Sequence, residues 1–330
     1  MDRLTNREQE ILEIIKKNPM ISQDQLASKL GITRSAAAVH ISNLIKKKSI
    51  KGRGYVVSHD DGMIIIGRVF CSITKEANKS LEIVPDGWGY FLATKLGAKI
   101  RNVSLISAVG ADYCGEIICH KLIQNNVDIS YVSVSKDMST ATQLKYMGDE
   151  EISNKIEYHH HGAQKKLDEE AIMALEHVLR NGRMFIVDGS MENGLIRQIL
   201  KISRKYSILV KIVEPIQIDE YWTKLLDARL HQIIISKNKM STVGQSWESI
   251  YNSNQSLWNL CSWIVLCSSE GTMIVEKGVK TVINLLPNQG VDRSFVAGFI
   301  YGMYNDYSAR QSARIGLGNH PILKDFSAGN

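Results

Sequence analysis

Residues 21–56 read ISQDQLASKLGITRSAAAVHISNLIKKKSIKGRGYV, and this run decides the fold at the head of the 330-residue chain. Ser22 is suited to cap a helix over SQDQLASKL, whose apolar residues Leu26, Ala27 and Leu30 share one side. Gly31 supplies a turn, and Thr33 caps a second helix that begins at Arg34 and runs through RSAAAVHISNLIKKK. Two helices joined by a short Gly-containing turn make a helix-turn-helix. At about 100° per residue, Ala37, Ile41 and Leu44 form a narrow core stripe on the second helix. Ser35, Ala38, Val39, Ser42 and Lys46 lie on the opposite side, small or polar residues that let a helix sit deep in a major groove. Arg34 stands at the helix N-terminus, where recognition helices touch base edges or phosphates. SIKGRGYVV then reads as a strand, a Gly52-Arg53-Gly54 turn and a second strand. That is a wing, with Lys51 and Arg53 placed for phosphates or the minor groove.

Upstream of this run, Thr5 or Asn6 caps a first helix with the apolar stripe Leu4, Ile11, Ile14 and Ile15. It ends near Lys16-Lys17-Asn18-Pro19, where cations suit the C-terminus and proline stops the helix. Residues 1–57 hold 11 Lys and Arg against 5 Asp and Glu, while residues 58–330 carry 29 of each. The whole formal excess of +6 thus belongs to the head, which makes double-stranded DNA the expected partner. Helix-turn-helix folds also serve as protein-interaction modules, and that reading predicts no salt-sensitive binding of any duplex.

Composition excludes several classes. A chain that is 44% hydrophobic and 22% charged, with 5 Pro, is neither low-complexity nor collagenous. No apolar run approaches the roughly 18–20 residues of a membrane span, and MDRLTNREQEILEIIKK lacks the apolar core of a signal peptide. Cys71, Cys114, Cys119, Cys261 and Cys267 are odd in number and scattered, without a CxxC pair. They suit a reduced cytoplasmic compartment and no structural zinc.

The domain plan is a winged helix-turn-helix over 1–57, a polar linker over 58–61 (SHDD) and an α/β domain over 62–330. MIIIGRVF reads as a buried first strand, GWGYFLATKLG as a helix, NVSLISAVG as a strand and GEIICHKLIQNN as a helix. The alternation continues through RMFIVDGS, GLIRQILKISRKY, SILVKIV, HQIIIS, CSWIVLC, TMIVEK and TVINLL. Strand–helix alternation of this kind gives a mostly parallel sheet covered on both faces.

The run over 21–56 resembles the winged helix-turn-helix at the head of many bacterial regulators, in the version fused to ribokinase-type (PfkB) sugar kinases. KLGAKIRNVSLISAVGADYCGEII, STATQLKYMGDEEI and SFVAGFIYGM are similar, in order, to segments of those kinases, including the Thr-rich strand that passes the substrate and the helix after the catalytic turn. The resemblance spans roughly 62–310 and implies a ribokinase-like fold close to nucleoside or sugar kinases such as pseudouridine kinase.

The resemblance also implies where the chemistry belongs. A kinase of this family needs a base for the attacking hydroxyl, backbone N–H groups at a helix N-terminus, polar sugar anchors and carboxylates that organise Mg²⁺. Its phosphate turn reads Asp-Thr-x-Gly-Ala-Gly-Asp; here Pro287-Asn288-Gln289-Gly290-Val291-Asp292-Arg293 precedes Phe295. Arg293 holds the position of the catalytic Asp, and an arginine cannot accept a proton near neutral pH. Asp292 puts a carboxylate where the cradle should meet phosphate. To act as base one residue early, it would need re-registration, since each helical step turns a side chain by about 100°. The sugar anchors read Phe70 and Ser72, and Asp86-Gly87 replaces a Gly-Gly pair, with Phe91 where an Asn would stand. The Asn-x-x-Glu element aligns with Asn238, Lys239, Met240 and Ser241, without its carboxylate. The segment between Ile73 and Pro85 is short, which predicts a reduced lid.

Other features have plainer readings. His159-His160-His161 alternate faces on a strand and do not converge on one ion, so no metal is expected. Cys114 and Cys119 suit buried packing, and Trp222, Trp247, Trp258 and Trp263 suit core or interface, with ligand stacking as the alternative. Lys46-Lys47-Lys48 suits either a solvated cap or phosphate contact. The reading that results is a bacterial DNA-binding regulator, homodimeric because operators carry two half-sites, with a PfkB-like body that senses a small molecule or a protein partner and needs no cofactor. The alternative is an ATP- and Mg-dependent sugar or nucleoside kinase with a regulatory head.

Overall fold

In the computed structural model the described residues are 4–17, 21, 23–47, 49, 62–76, 80–147, 155–214, 224–236, 246–268, 271–276, 278–284 and 293–318. The chain divides into two compact units, Met1–Asp61 and Gly62–Asn330.

The first unit contains α1 (Asn6–Lys17), α2 (Gln23–Leu30) and α3 (Arg34–Lys46). Thr5, one of the two candidate caps, starts α1: its hydroxyl accepts from the Glu8 amide at 3.2 Å and its own amide donates to Glu8 Oε2 at 2.7 Å. This reciprocal pair is a capping box. Thr33 caps α3 by accepting from the Ala36 amide at 3.1 Å. Ile11, Ile15, Leu26, Leu30, Ala37, Ile41 and Leu44 form the buried core, as the apolar periodicity requires. The Ser22 cap, the wing with Lys51 and Arg53, and the 58–61 linker lie outside the described residues.

The second unit opens with β1 (Met63–Ile66), β2 (Phe70–Glu76), β3 (Glu82–Asp86), α4 (Trp88–Gly97), β4 (Val103–Gly110) and α5 (Tyr113–Gln124). Then come β5 (Val127–Asp128), β6 (Val132–Ser135), β7 (Thr142–Met147), β8 (Lys155–His160), α6 (Glu169–Ala174), α7 (Glu176–Leu179) and β9 (Met184–Asp188). The chain continues through α8 (Asn193–Tyr206), β10 (Leu209–Val213), β11 (His231–Ser236), α9 (Trp247–Ser253), α10 (Gln255–Trp258) and β12 (Trp263–Ser268). It closes with β13 (Gly271–Glu276), β14 (Val279–Asn284), α11 (Arg293–Tyr304) and α12 (Ala309–Gly316).

The main sheet runs β14-β13-β12-β11-β10-β9-β1-β4-β5, with β6 also on β4. Pairing is parallel from β5 to β12 and antiparallel for β13 and β14. Successive strand residues face opposite sides, so each face builds its own core. Met63, Ile65, Leu105, Ile186 and Val265 pack on one side with Phe295 and Phe299 of α11. Ile64, Ile66, Phe185 and Val187 pack on the other with Leu195, Ile196 and Ile199 of α8.

MIIIGRVF is not one strand. β1 stops at Ile66 because Gly67 lies against Gly89, where a Cβ at 67 would come within 2.9 Å of the Gly89 Cα, and Arg68 turns to bind Asp188. Phe70 then enters a separate four-stranded sheet ordered β3-β2-β7-β8. Its register sets Phe70 opposite Asp86, Ser72 opposite Val84 and Gln143, and Ile73 opposite Ile83 and Leu144. The short segment between Ile73 and Pro85 closes a hairpin, and the sheet keeps four strands. No helix among the described residues is long and apolar enough to cross a membrane.

Candidate functional site

On the first unit, α3 turns Ala37, Ile41 and Leu44 inward. Arg34, Ser35, Val39, Ser42 and Lys46 are exposed and Ala38 is half-buried. Val39 is 58% exposed. The Arg34 Nε lies 3.5 Å from Asp24 Oδ1 in an exposed pair, weak enough for another anion to displace. The lysine run separates: Lys46 is exposed, whereas Lys47 Nζ lies 2.8 Å from the buried Glu8 carboxylate. The face therefore offers one cation at its start, one at its end and a small-residue floor between.

On the second unit, Asp86 ends β3, Gly87 precedes α4, and Arg293 opens α11. The Arg293 guanidinium donates to Asp86 Oδ1, which also accepts from the Gly87 amide at 2.7 Å. Its carbon lies 5.1 Å from the Trp88 ring centre and 5.8 Å from that of Phe91. The two rings meet edge to face at 6.3 Å. Arg293 is thus held by a carboxylate and two aromatic rings at once. Gly87 has φ +107°, and a Cβ there would collide with the Arg68 carbonyl oxygen, so only glycine fits. Of the expected pocket residues, Asp86, Gly87, Phe91 and Arg293 gather here, with Phe70 beside Asp86 in register and Ser72 buried two residues on. Gly290, Asp292 and residues 238–241 lie outside the described residues.

A second cluster escaped the sequence. The Arg68 backbone amide and Nε each donate to Asp188 Oδ2 at 3.2 Å. Arg68 also donates to the Ser190 hydroxyl, which donates in turn to Asp188 Oδ1. Asp188 is 2% exposed. The signal was present as Gly67-Arg68 after one strand and Asp188-Gly189-Ser190 after another. Only the β1–β9 adjacency, however, brings the cation and the anion together. Carboxyl ends of neighbouring strands are where open α/β sheets receive ligands. At the start of α5, burial raises the Asp112 pKa, but bonds from Thr140 Oγ1 at 2.7 Å, the Thr140 amide at 2.6 Å and the Gly115 amide at 2.9 Å outweigh it and hold the carboxyl below its usual range.

The remaining candidates have ordinary surroundings. His160 Nε2 lies 2.9 Å from Ser139 Oγ, and among the described residues no three His, Cys, Asp or Glu side chains cluster as metal ligands. All five cysteines are free, and burial raises the Cys119 pKa. Trp258 stacks on Tyr251 at 6.2 Å and Trp263 meets Phe299 at 5.2 Å, both inside the core, while Trp222 is outside the described residues.

A winged helix-turn-helix DNA-binding family matches residues 4–50, and the pfkB family of carbohydrate kinases matches residues 90–234. The uncharacterized sugar kinase YeiI of Escherichia coli K12 is 24% identical over 95% of this chain and 92% of its own. Arabidopsis thaliana ribokinase, solved with ribose and ATP, superposes with a TM-score of 0.66 at 15% identity, over 78% of this chain and 90% of its own. Adenosine kinase of Sinorhizobium meliloti gives 0.61 at 13% identity, over 78% and 91%. These two share the fold. The chain thus joins an N-terminal winged helix-turn-helix DNA-binding domain to a PfkB carbohydrate kinase domain of ribokinase-like architecture.

Proposed function

We propose that this chain is a DNA-binding transcriptional regulator whose kinase-like body does not transfer phosphate. In this reading the body supplies dimerisation, which two operator half-sites require, and senses a small molecule or a partner protein. α3 lays Ser35, Ala38, Val39 and Ser42 along the bases, with Arg34 at their start and Lys46, Lys51 and Arg53 on phosphates. A DNA partner places the protein in the bacterial cytoplasm.

The observation that carries the inactive body is Arg293. It stands at the first residue of α11, which the resemblance aligns with the family's proton acceptor, and its guanidinium is engaged by Asp86, Trp88 and Phe91. A permanently charged donor cannot take the proton of an attacking hydroxyl. Phe70 and Phe91 remove hydrogen-bonding groups from the sugar side, where such groups supply discrimination. In the resemblance Ser241 takes the place of the metal-organising carboxylate, and a serine does not supply the charge that would organise Mg²⁺ beside ATP.

The second reading, an ATP-dependent sugar or nucleoside kinase with Asp292 as base, is favoured by the nearly full-length likeness to a protein designated a sugar kinase. ATP turnover across a sugar and nucleoside panel separates the two, with Asp292→Ala as control. The regulator reading expects no acceptor-dependent ADP release. Stoichiometric release that disappears in D292A would establish the kinase.

A further inference from the structure

We infer that Glu8 and Lys47 form a clamp that aims α3, so that the middle cation of Lys46-Lys47-Lys48 serves the pose of the recognition helix and not a DNA phosphate. This rests on the DNA-binding reading and assigns two positioning residues to it.

Glu8 lies near the start of α1 and Lys47 just past the end of α3, 39 residues apart in sequence. Glu8 is 1% exposed. Its Oε2 accepts from Lys47 Nζ at 2.8 Å and from the Thr5 amide at 2.7 Å, and these bonds hold its carboxyl below the usual range. A buried carboxylate that loses its cation is left uncompensated, so the pair is held and not merely visited. The Lys47 backbone amide donates to the Asn43 carbonyl at 2.8 Å, which ties the backbone that carries this side chain to the helix end.

α3 has need of such a fastening. Its buried stripe is only Ala37, Ile41 and Leu44, a narrow seam with little to stop the helix rolling about its axis. Base reading depends on where side chains point to within a fraction of an ångström, whereas phosphate attraction tolerates displacement. A loosened clamp should therefore lower specificity while leaving the salt dependence intact. If Lys47 instead bound a phosphate, its removal would do the opposite.

The test uses the full chain, a duplex enriched from a random pool by the wild type, and a random-sequence duplex as competitor. Affinities are measured over a salt series, and circular dichroism confirms helix content. The paired variant Glu8→Gln/Lys47→Gln neutralises both partners and keeps an N3 side chain able to complete the capping box. It should bind the enriched duplex about tenfold less tightly relative to the random one, with the salt slope of the wild type. Lys47→Arg, which keeps the ion pair, should stay within about threefold of the wild type. A slope lowered by about 0.9 in the paired variant, the signature of one phosphate no longer neutralised, overturns the inference. So does an unchanged specificity ratio. If the wild type binds no duplex in a salt-dependent way, the DNA-binding reading itself fails and takes the clamp with it.

Discussion

Lys211 lies in β10 at the centre of the main sheet and is 1% exposed. Its Nζ donates to the Gln232 carboxamide and lies 4.7 Å from the Trp263 ring centre. Burial pushes its pKa from 10.5 down to about 7. The unfolded chain therefore binds more protons than the native one between about pH 7 and 10.5, and stability contributed at this site rises with pH across that window. Below pH 7 both states are protonated and the full penalty remains. At 1.36 kcal/mol per pH unit, tapering towards either pKa, the rise between pH 7.5 and 9.5 is about 2.5 kcal/mol. Lys211→Met should abolish it. Denaturant midpoints of both proteins at pH 7.5, 8.5 and 9.5 provide the measurement. On heating, the gap corresponds to about 5–10 °C for a domain of this size. Cys71 and Cys261 are pushed up to about 12 by burial and lose stability as pH climbs past 9, but equally in both proteins. Gln232 loses its partner in the variant, which offsets all three pH values alike. Two parallel curves would refute the reasoning: they would mean that the carboxamide and the indole face keep the ammonium at its ordinary pKa.

Arg68→Met leaves the buried Asp188 without its cation and should cost about 3–5 kcal/mol, whereas Arg68→Met with Asp188→Asn should recover most of it in a denaturant titration. Arg53→Ala and Lys46→Gln should each weaken binding to all duplexes and lower the salt slope by about 0.9; binding unchanged at every salt concentration would remove that residue from the DNA face.

The three helices of the head were legible because their signals are local. Thr5, Thr33 and Gly31 each mark a cap or turn within four residues, and the α3 stripe follows from helical period alone. The alternation in the body gave the parallel sheet for the same reason. What escaped depends on pairings across the fold. MIIIGRVF reads as a single apolar run, and only the approach of Gly89 and the pull of Asp188 explain why it breaks after Ile66. Lys47 looked like its neighbours in a basic run, yet its partner lies at the other end of the domain. Resemblance marked Arg293 and Asp86 as separate departures from a motif. Their mutual contact, with Trp88 and Phe91 around it, is a fact of three dimensions.

That contact also bears on which substitutions the chain can accept. Placing an aspartate at 293 by a single substitution would set a second carboxylate against Asp86 and strip two aromatic rings of the cation they enclose. Like charges at such close quarters repel, so that single exchange would cost stability. Each half of the pair thus makes the other hard to exchange alone, and the two positions are expected to change together.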